Sequence, residues 1–381
     1  MKYKRTLEKR FLVSLGKKPI TILYGARQVG KTTFVKNILS RYQSPLYLQG
    51  DDPRDKTRLE NKSASELLSL ISGHDLVVID EAQQIQNIGT TLKLIADNLP
   101  TAQIIATGSS SFELANKLNE PLTGRNRKFT MYPLSVEELV GTYGLKDVEN
   151  NLFEYITFGS YPEVISALSI QDKKEALTHL ATDYLFKDIF QFSKIKNSFL
   201  FEKIVQLLAL RIGSEISYSE IAKEVGISRE TLYGYITMLE QAFIIFRVTP
   251  LYTNKTKEIN KNHKIYFYDT GIRNAVLRAF DSLELRNDKG ALFENYFIAE
   301  MVKQREYRQR YTDIHFWRSR QGGEVDFVET SNAGETVNAF ECKWKNRESV
   351  PKAFQHLYPN ATFQCITTEN IVQFFAKKEK E

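Results

Sequence analysis

Two cysteines in 381 residues, Cys342 and Cys365, are too few for a disulfide framework or a four-ligand zinc site. The chain is therefore expected in a reducing compartment. Its five histidines are scattered without the spacing of a metal-ligand set, which argues against a zinc hydrolase. No run approaches the roughly 20 apolar residues of a membrane span, and residues 1–10 are dominated by Lys, Arg and Glu instead of an apolar leader core. The expectation is a cytoplasmic protein with no membrane partner.

What is present is apolar material for more than one core. Hydrophobic residues make up 42% of a chain longer than one core normally holds. Residues 1 to about 145 alternate strand-like and helix-like stretches, the pattern of a parallel sheet. Asn150 to Ile195 lose that alternation and read as helices, with a break at Gly159 to Pro162.

The first informative stretch is Gly25-Ala26-Arg27-Gln28-Val29-Gly30-Lys31-Thr32-Thr33, whose glycine, lysine and threonine spacing matches a phosphate-binding P-loop. Ile20 to Tyr24 before it read as a buried strand, and Thr33 to Leu39 after it as a helix. Gly25 and Gly30 permit a tight loop whose N–H groups converge on phosphate oxygens at a helix N-terminus. Lys31 then neutralises the β- and γ-phosphates of ATP, and Thr32 offers its hydroxyl to Mg²⁺. Leu76 to Glu81 read as an apolar strand that delivers two carboxylates at its C-terminal end, where open α/β sheets bind ligands. Asp80 is placed to hold the Mg²⁺ shell and Glu81 to polarise the attacking water. A further apolar run, Gln103 to Ala106, leads to Thr107-Gly108-Ser109-Ser110-Ser111, where a hydroxyl such as that of Ser109 can sense the γ-phosphate; the same residues also simply make turns. Arg125 and Arg127 precede a strand-like stretch from Lys128 to Leu134, and either can be a finger on a neighbouring subunit's nucleotide, or an exposed loop cation.

The order of these features resembles the AAA-type ATPases of bacteria and archaea that carry a C-terminal restriction-endonuclease-like domain. The residues that carry the likeness are the P-loop, Ile79-Asp80-Glu81-Ala82-Gln83, Gly124-Arg125, Pro133-Leu134-Ser135 and Gly159 to Pro162. The resemblance implies an ATPase core with an additional strand and a catalytic glutamate, and an Arg125 that works in trans in a homo-oligomer.

Downstream, Ser217 to Leu232 are organised as a helix-turn-helix, with Ser217 and Ser228 as caps and Gly226 as the turn. A strand from Phe243 to Val248 and a polar hairpin, Thr253 to Lys264, complete the order of a winged helix, a module that serves DNA grooves or protein partners. Residues 241–320 carry fifteen Lys and Arg against nine Asp and Glu, an excess equal to the net +6 of the whole chain. Within them Lys303, Arg305, Arg308, Arg310, Arg318 and Arg320 interleave with Tyr307, Tyr311, Phe316 and Trp317. That mixture suits phosphate contact with base stacking, and it equally suits a solvated face over an aromatic core.

The C-terminal third offers a second candidate site. Glu294 sits on an amphipathic helix, Asp326 on one strand, and Glu341 and Lys343 on the next. Two carboxylates can hold Mg²⁺ against a scissile phosphate while a lysine orients water and a third carboxylate completes the shell. This looks like the PD-(D/E)xK nuclease core, with Val325 where the motif name has proline; exposed alternating charges or an inactive nuclease fold explain it too.

The expected fold class is therefore α/β: an AAA-type parallel-sheet core over 1–149, a helical lid over 150–200, a winged-helix domain over 201–284 and a nuclease-like α/β domain over 285–381. The expected function is an ATPase acting on DNA, branched DNA included, that positions a metal-dependent endonuclease-like domain. The alternative is a nucleotide-switched binding protein whose C-terminal fold recognises a protein or nucleic acid without cleavage.

Overall fold

A computed structural model of the chain describes residues 3–99, 101, 103–108, 122–182, 198–251, 262–319, 321–331, 336–345 and 349–377. Its contacts form two units, one made of residues 5–133 and 241–243, the other of 1–4, 134–240 and 244–381.

The first unit is built on five parallel strands, β1 (Ile20–Tyr24), β2 (Pro45–Gln49), β3 (Leu76–Asp80), β4 (Ile104–Gly108) and β5 (Asn126–Thr130). They lie in the order β2-β3-β4-β1-β5. Strands β1, β3 and β4 are buried along their whole length, which is why they read as apolar runs without alternation. On one face Ile20, Ile22, Val77, Ile79 and Ile104 pack against Leu67 and Ile71 of helix Ala64–Ile71 and Leu92 and Ile95 of helix Ile88–Asn98. Phe129 of β5 meets Phe11 at 4.9 Å between ring centroids, and Phe11 meets Phe34 of helix Lys31–Leu39 edge-on at 5.2 Å. Strand β4 lies between the two strands that end in the phosphate-loop and carboxylate motifs, as the additional-strand core requires.

The second unit begins with helices Val136–Tyr143, Leu145–Asn150, Leu152–Phe158, Pro162–Ser166 and Ile170–His179, in keeping with the helical reading of that stretch. Residues 183–197 lie outside the described residues. Helices Ser198–Leu210, Tyr218–Val225 and Arg229–Gln241 follow. Ser217 caps the second of these, and Gly226 ends it in the left-handed conformation at φ +76°. Strands β6 (Glu215–Ile216), β7 (Ile245–Pro250) and β8 (His263–Phe267) pair antiparallel in the order β6-β8-β7. The expected hairpin between β7 and β8 falls mostly on residues 252–261, outside the described set.

The sheet does not stop there. Strands β9 (Asp313–Arg318), β10 (Glu324–Ser331), β11 (Thr336–Cys342) and β12 (Thr362–Ile366) extend it to seven, in the order β12-β11-β10-β9-β7-β8-β6. The join is parallel pairing of Thr249 with His315 and Pro250 with Phe316. The boundary expected between residues 284 and 285 thus falls between strands of one sheet. A second tie crosses the same point: the Asn295 amide accepts the Phe267 N–H at 2.9 Å and donates to the Phe267 carbonyl at 2.7 Å, completing β8 as a neighbouring strand would. Asn295 lies on helix Lys289–Tyr307, which buries thirteen of its nineteen residues. Its Phe297 gathers Phe327, Phe340, Phe374 and Phe375 within 6.2 Å between centroids.

Gly159, at φ +71°, marks another tie in this unit. A Cβ there would lie 1.9 Å from Asp269 Oδ1. Asp269 accepts the Ser160 N–H at 2.8 Å and caps helix Thr270–Leu277 through the Ile272 N–H at 3.1 Å. Burial pushes its carboxyl above the ordinary carboxylate range, against the pull of the Lys303 charge and the backbone donors.

Candidate nucleotide site and C-terminal carboxylate cluster

The loop after β1 has the backbone that the sequence demanded. Gly25 takes φ +153° with the Met131 carbonyl 2.2 Å from where a Cβ would stand, so a side chain is excluded. Gln28 and Gly30 adopt φ +59° and +99°, and Gly30 opens helix Lys31–Leu39. That helix begins two residues earlier than its apolar pattern suggests, which places Lys31 and Thr32 in the first turn. Lys31 is 4% exposed, and its ammonium donates to the Gly25 and Ala26 carbonyls at 2.8 Å each. Arg5 donates to the Val29 carbonyl at 3.3 Å and to the Tyr132 carbonyl, bracing the loop from within the same unit.

Asp80 ends β3 at 1% exposure. Its Oδ2 accepts the Thr32 hydroxyl and the Tyr47 hydroxyl, each at 2.7 Å, while its Oδ1 accepts the Thr107 hydroxyl. Thr107 in turn accepts the Glu81 N–H at 3.1 Å. Glu81 sits at φ +51°, and its carboxylate accepts the Gln83 amide. The Gly50 N–H holds the Asp80 carbonyl at 2.7 Å, and a Cβ on Gly50 would lie 2.3 Å from the Glu81 carbonyl. The Thr32–Asp80 pair presents a hydroxyl and a carboxylate side by side, the donor set that hydrated Mg²⁺ takes at a P-loop. The residues therefore fit nucleotide-bound magnesium.

Sequence reasoning missed Tyr47. It lies on β2, an edge strand, and its phenol is pushed well up by burial and by the Asp80 carboxylate it serves. The only signal was its place one strand away from β3, which register alone reveals: Tyr47 stands opposite Val78. Ser109 lies outside the described residues; the hydroxyl at the end of β4 that reaches Asp80 is Thr107.

Arg125 precedes β5 at the opposite end of the sheet from the P-loop. Asn126 pairs with Ile20, the first residue of β1, whereas the loop follows Tyr24, the last. Five residues of strand, about 16 Å, separate them. Its guanidinium donates to Asp97 at 2.5 Å and to the Thr123 carbonyl at 3.3 Å. Arg127 is exposed on the edge strand β5.

In the second unit, the register of β10 and β11, with Phe327 opposite Phe340, brings Asp326 beside the Glu341–Cys342 end of β11. Asp326 Oδ2 accepts the Cys342 N–H at 2.8 Å. Burial first, and the Glu294 charge second, push its carboxyl up to about 7. Glu294 Oε1 accepts Tyr266 Oη at 2.6 Å and Lys264 Nζ at 3.2 Å. Lys264, on β8, is 1% exposed and also lies 2.6 Å from Glu324. Burial lowers the affinity of its amine for a proton, but Glu294, Glu324 and Asp326 outweigh that and hold it charged. Lys343 pairs with Glu341 at 2.9 Å.

Glu294, Asp326 and Glu341, the expected metal set, lie near one another but are engaged within the chain. Among the described residues no three His, Cys, Asp or Glu side chains converge on a point that could hold a metal ion. The chain's own donors meet one oxygen of each carboxylate, Glu294 Oε1, Asp326 Oδ2 and Glu341 Oε1, and Glu341 Oε2 is buried without a hydrogen bond. Lys264 and Tyr266 escaped the sequence reading because they come from the strand assigned to the neighbouring domain.

The basic and aromatic stretch is also revised. Lys303 is buried, with its ammonium on Glu300 at 2.7 Å, and Tyr307, Phe316 and Trp317 are buried core residues. Arg310 and Arg318 pair with Glu329 and Glu215, and Tyr311 alone of the four aromatics is fully outside. Arg320 lies outside the described residues. Among the described residues no helix is long and apolar enough to cross a membrane.

Residues 17–140 match the family described as an AAA domain. Residues 149–283 and 289–377 match two families described as domains of unknown function (DUF8612 and DUF4143). An uncharacterised protein of Mycobacterium tuberculosis is 27% identical over 92% of this chain and 76% of its own length. One of Methanocaldococcus jannaschii is 27% identical over 88% and 78%. Among solved structures, a Walker-type ATPase of Pyrococcus abyssi is 18% identical with a TM-score of 0.49, covering 72% of this chain and 96% of its own, a likeness too slight to bear on function. The AAA-domain match falls almost wholly within the first unit, whose parallel sheet and loop are P-loop-like.

Proposed function

We propose that the chain is an ATP-hydrolysing enzyme that acts on DNA, its second unit recognising the nucleic acid. The observation that carries the first half is the Thr32–Asp80 hydrogen bond at 2.7 Å beside the buried Lys31. The loop N–H groups and Lys31 bind the triphosphate, and Thr32 and Asp80 hold nucleotide-bound magnesium. When bound, magnesium neutralises charge that develops on the phosphoryl oxygens. Glu81, one residue beyond Asp80, accepts a proton from the attacking water. Arg125, too far along the sheet to reach its own P-loop, serves the nucleotide of a neighbouring copy. Its pair with Asp97 is about a third exposed and costs only about 0–1 kcal/mol to release.

The excess of cations over residues 241–320 supports nucleic acid as the partner, with Arg305, Arg310, Arg318 and Tyr311 outside the core to meet it. Two readings of the C-terminal carboxylates follow. The order of Glu294, Asp326, Glu341 and Lys343 favours a metal-dependent endonuclease. The engagement of Glu294 by Lys264 and Tyr266 favours recognition without cutting, and it is the reading we adopt.

The test is ATP turnover with and without duplex, single-stranded and branched DNA, and with RNA. DNA is expected to raise the rate severalfold. Lys31→Ala should abolish nucleotide binding or turnover, and Glu81→Gln should bind ATP but turn it over about 100-fold more slowly. Full turnover by both variants, or no heat on mixing folded protein with ATP and magnesium, overturns the reading.

A further inference from the structure

The C-terminal cluster is where the nuclease likeness asks for a divalent ion, and the cation found there belongs to the chain. Lys264 enters from β8, sixty-two residues before Asp326. Its ammonium lies 2.6 Å from Glu324 Oε1 and 3.2 Å from Glu294 Oε1, and 5.3 Å from the centre of the Phe316 ring. Tyr266, two residues on, brings its hydroxyl to the same Glu294 oxygen at 2.6 Å. One carboxylate oxygen thus receives two donors from a single strand. Asp326 Oδ2 is taken by a backbone N–H, and Glu341 Oε1 by Lys343.

We propose that Lys264 is the resident counter-ion of this cluster, an ammonium in the role that a divalent metal plays in a nuclease, so that the site binds no metal while Lys264 is present. The physical reason is charge. Buried carboxylates require a cation within a few ångströms, and a fixed ammonium meets that requirement without the dehydration a divalent ion must undergo. A second cation entering beside it meets repulsion in a poorly screened interior. The cluster then works as a rigid polar joint between β8, helix Lys289–Tyr307 and β10. This inference goes beyond the non-cleaving reading of the second unit, can stand without it, and is independent of the nucleotide site.

The test is Mn²⁺ binding to nucleotide-free full-length protein, followed by electron paramagnetic resonance. Wild type is expected to show no site that Asp326→Asn removes. Lys264→Met is expected to gain one Mn²⁺ per chain, bound at least tenfold tighter than any ion in wild type and lost again in the Lys264→Met, Asp326→Asn double variant. A wild-type Mn²⁺ site abolished by Asp326→Asn or Glu294→Gln overturns the proposal, even if Lys264→Met does not fold. A folded Lys264→Met that gains no ion overturns it too. DNA cleavage is scored separately: cutting that survives without divalent ions removes the non-cleaving reading and leaves the counter-ion assignment standing.

Discussion

Single side chains set the chemistry of the nucleotide site, and the least expected of them is Tyr47. It is one of two hydroxyls on Asp80 Oδ2, the other being Thr32. If Thr32 turned to magnesium, Tyr47 would be the donor left to keep this oxygen oriented. Tyr47→Phe is therefore expected to raise the magnesium concentration for half-maximal ATP turnover about tenfold, the worth of one hydrogen bond to a charged acceptor. ADP affinity without magnesium should stay unchanged, which separates positioning of Asp80 from damage to the fold. A parallel loss of ADP binding would point to damage. The contrast with Lys31 explains what a sequence can disclose. Lys31, Gly25 and Gly30 act within one loop, so their spacing is the mechanism. Tyr47 and Asp80 are 33 residues apart, and Lys264 and Glu294 are 30 apart. Pairs of that kind depend on which strands become neighbours.

Strands and helices were legible where their pattern was local. Ile20–Tyr24 and Leu76–Asp80 match the expected strands closely, because strands covered on both faces are continuously apolar. The helix pair Tyr218–Val225 and Arg229–Gln241 follows its capping residues. The seven-stranded sheet was not legible, since its central join is only the pairing of Thr249 and Pro250 with His315 and Phe316. Two glycines with nearly equal φ differ in ψ and in what surrounds them, Gly226 being left-handed helical at ψ 36° and Gly159 lying at ψ −161°. Gly226, at φ +76°, has open space where a Cβ would go, whereas at Gly159, φ +71°, the Asp269 carboxylate occupies it. Gly226→Ala should cost about 1 kcal/mol. Gly159→Ala should cost about 3 kcal/mol or more, as the strain of a backbone region open essentially to glycine alone adds to overpacking. Urea unfolding with unchanged m-values checks both, and equal costs would show that Asp269 moves aside.

Across the full chain, contacts gather into two compact units, while the matched families divide it into residues 17–140, 149–283 and 289–377. The helices after residue 134, the helix-turn-helix and the C-terminal strands share one set of buried ties: Asp269 with Ser160, Glu300 with the Val136 N–H, Asn295 with Phe267. Two of these ties link residues over a hundred positions apart, and no linker-like composition marks their absence or presence. Calorimetry is expected to show two unfolding transitions. A non-hydrolysable ATP analogue with magnesium, at 100 times its dissociation constant, should stabilise one of them by about 2.7 kcal/mol. Lys31→Ala should remove that shift. A single transition carrying the whole shift would mean that the units unfold together.

The position of Arg125 bears on how copies of the chain can meet. Strand direction puts the P-loop at one end of the sheet and Arg125 at the other. A copy that lends its arginine therefore offers the bottom of its sheet to the top of the next. A two-fold pair lying antiparallel can serve both nucleotides by this contact, because each copy's bottom then faces the other's top. If Arg125 works in trans, a closed ring or an antiparallel pair would give every ATP an arginine, whereas in an open helical stack the terminal subunit would go without.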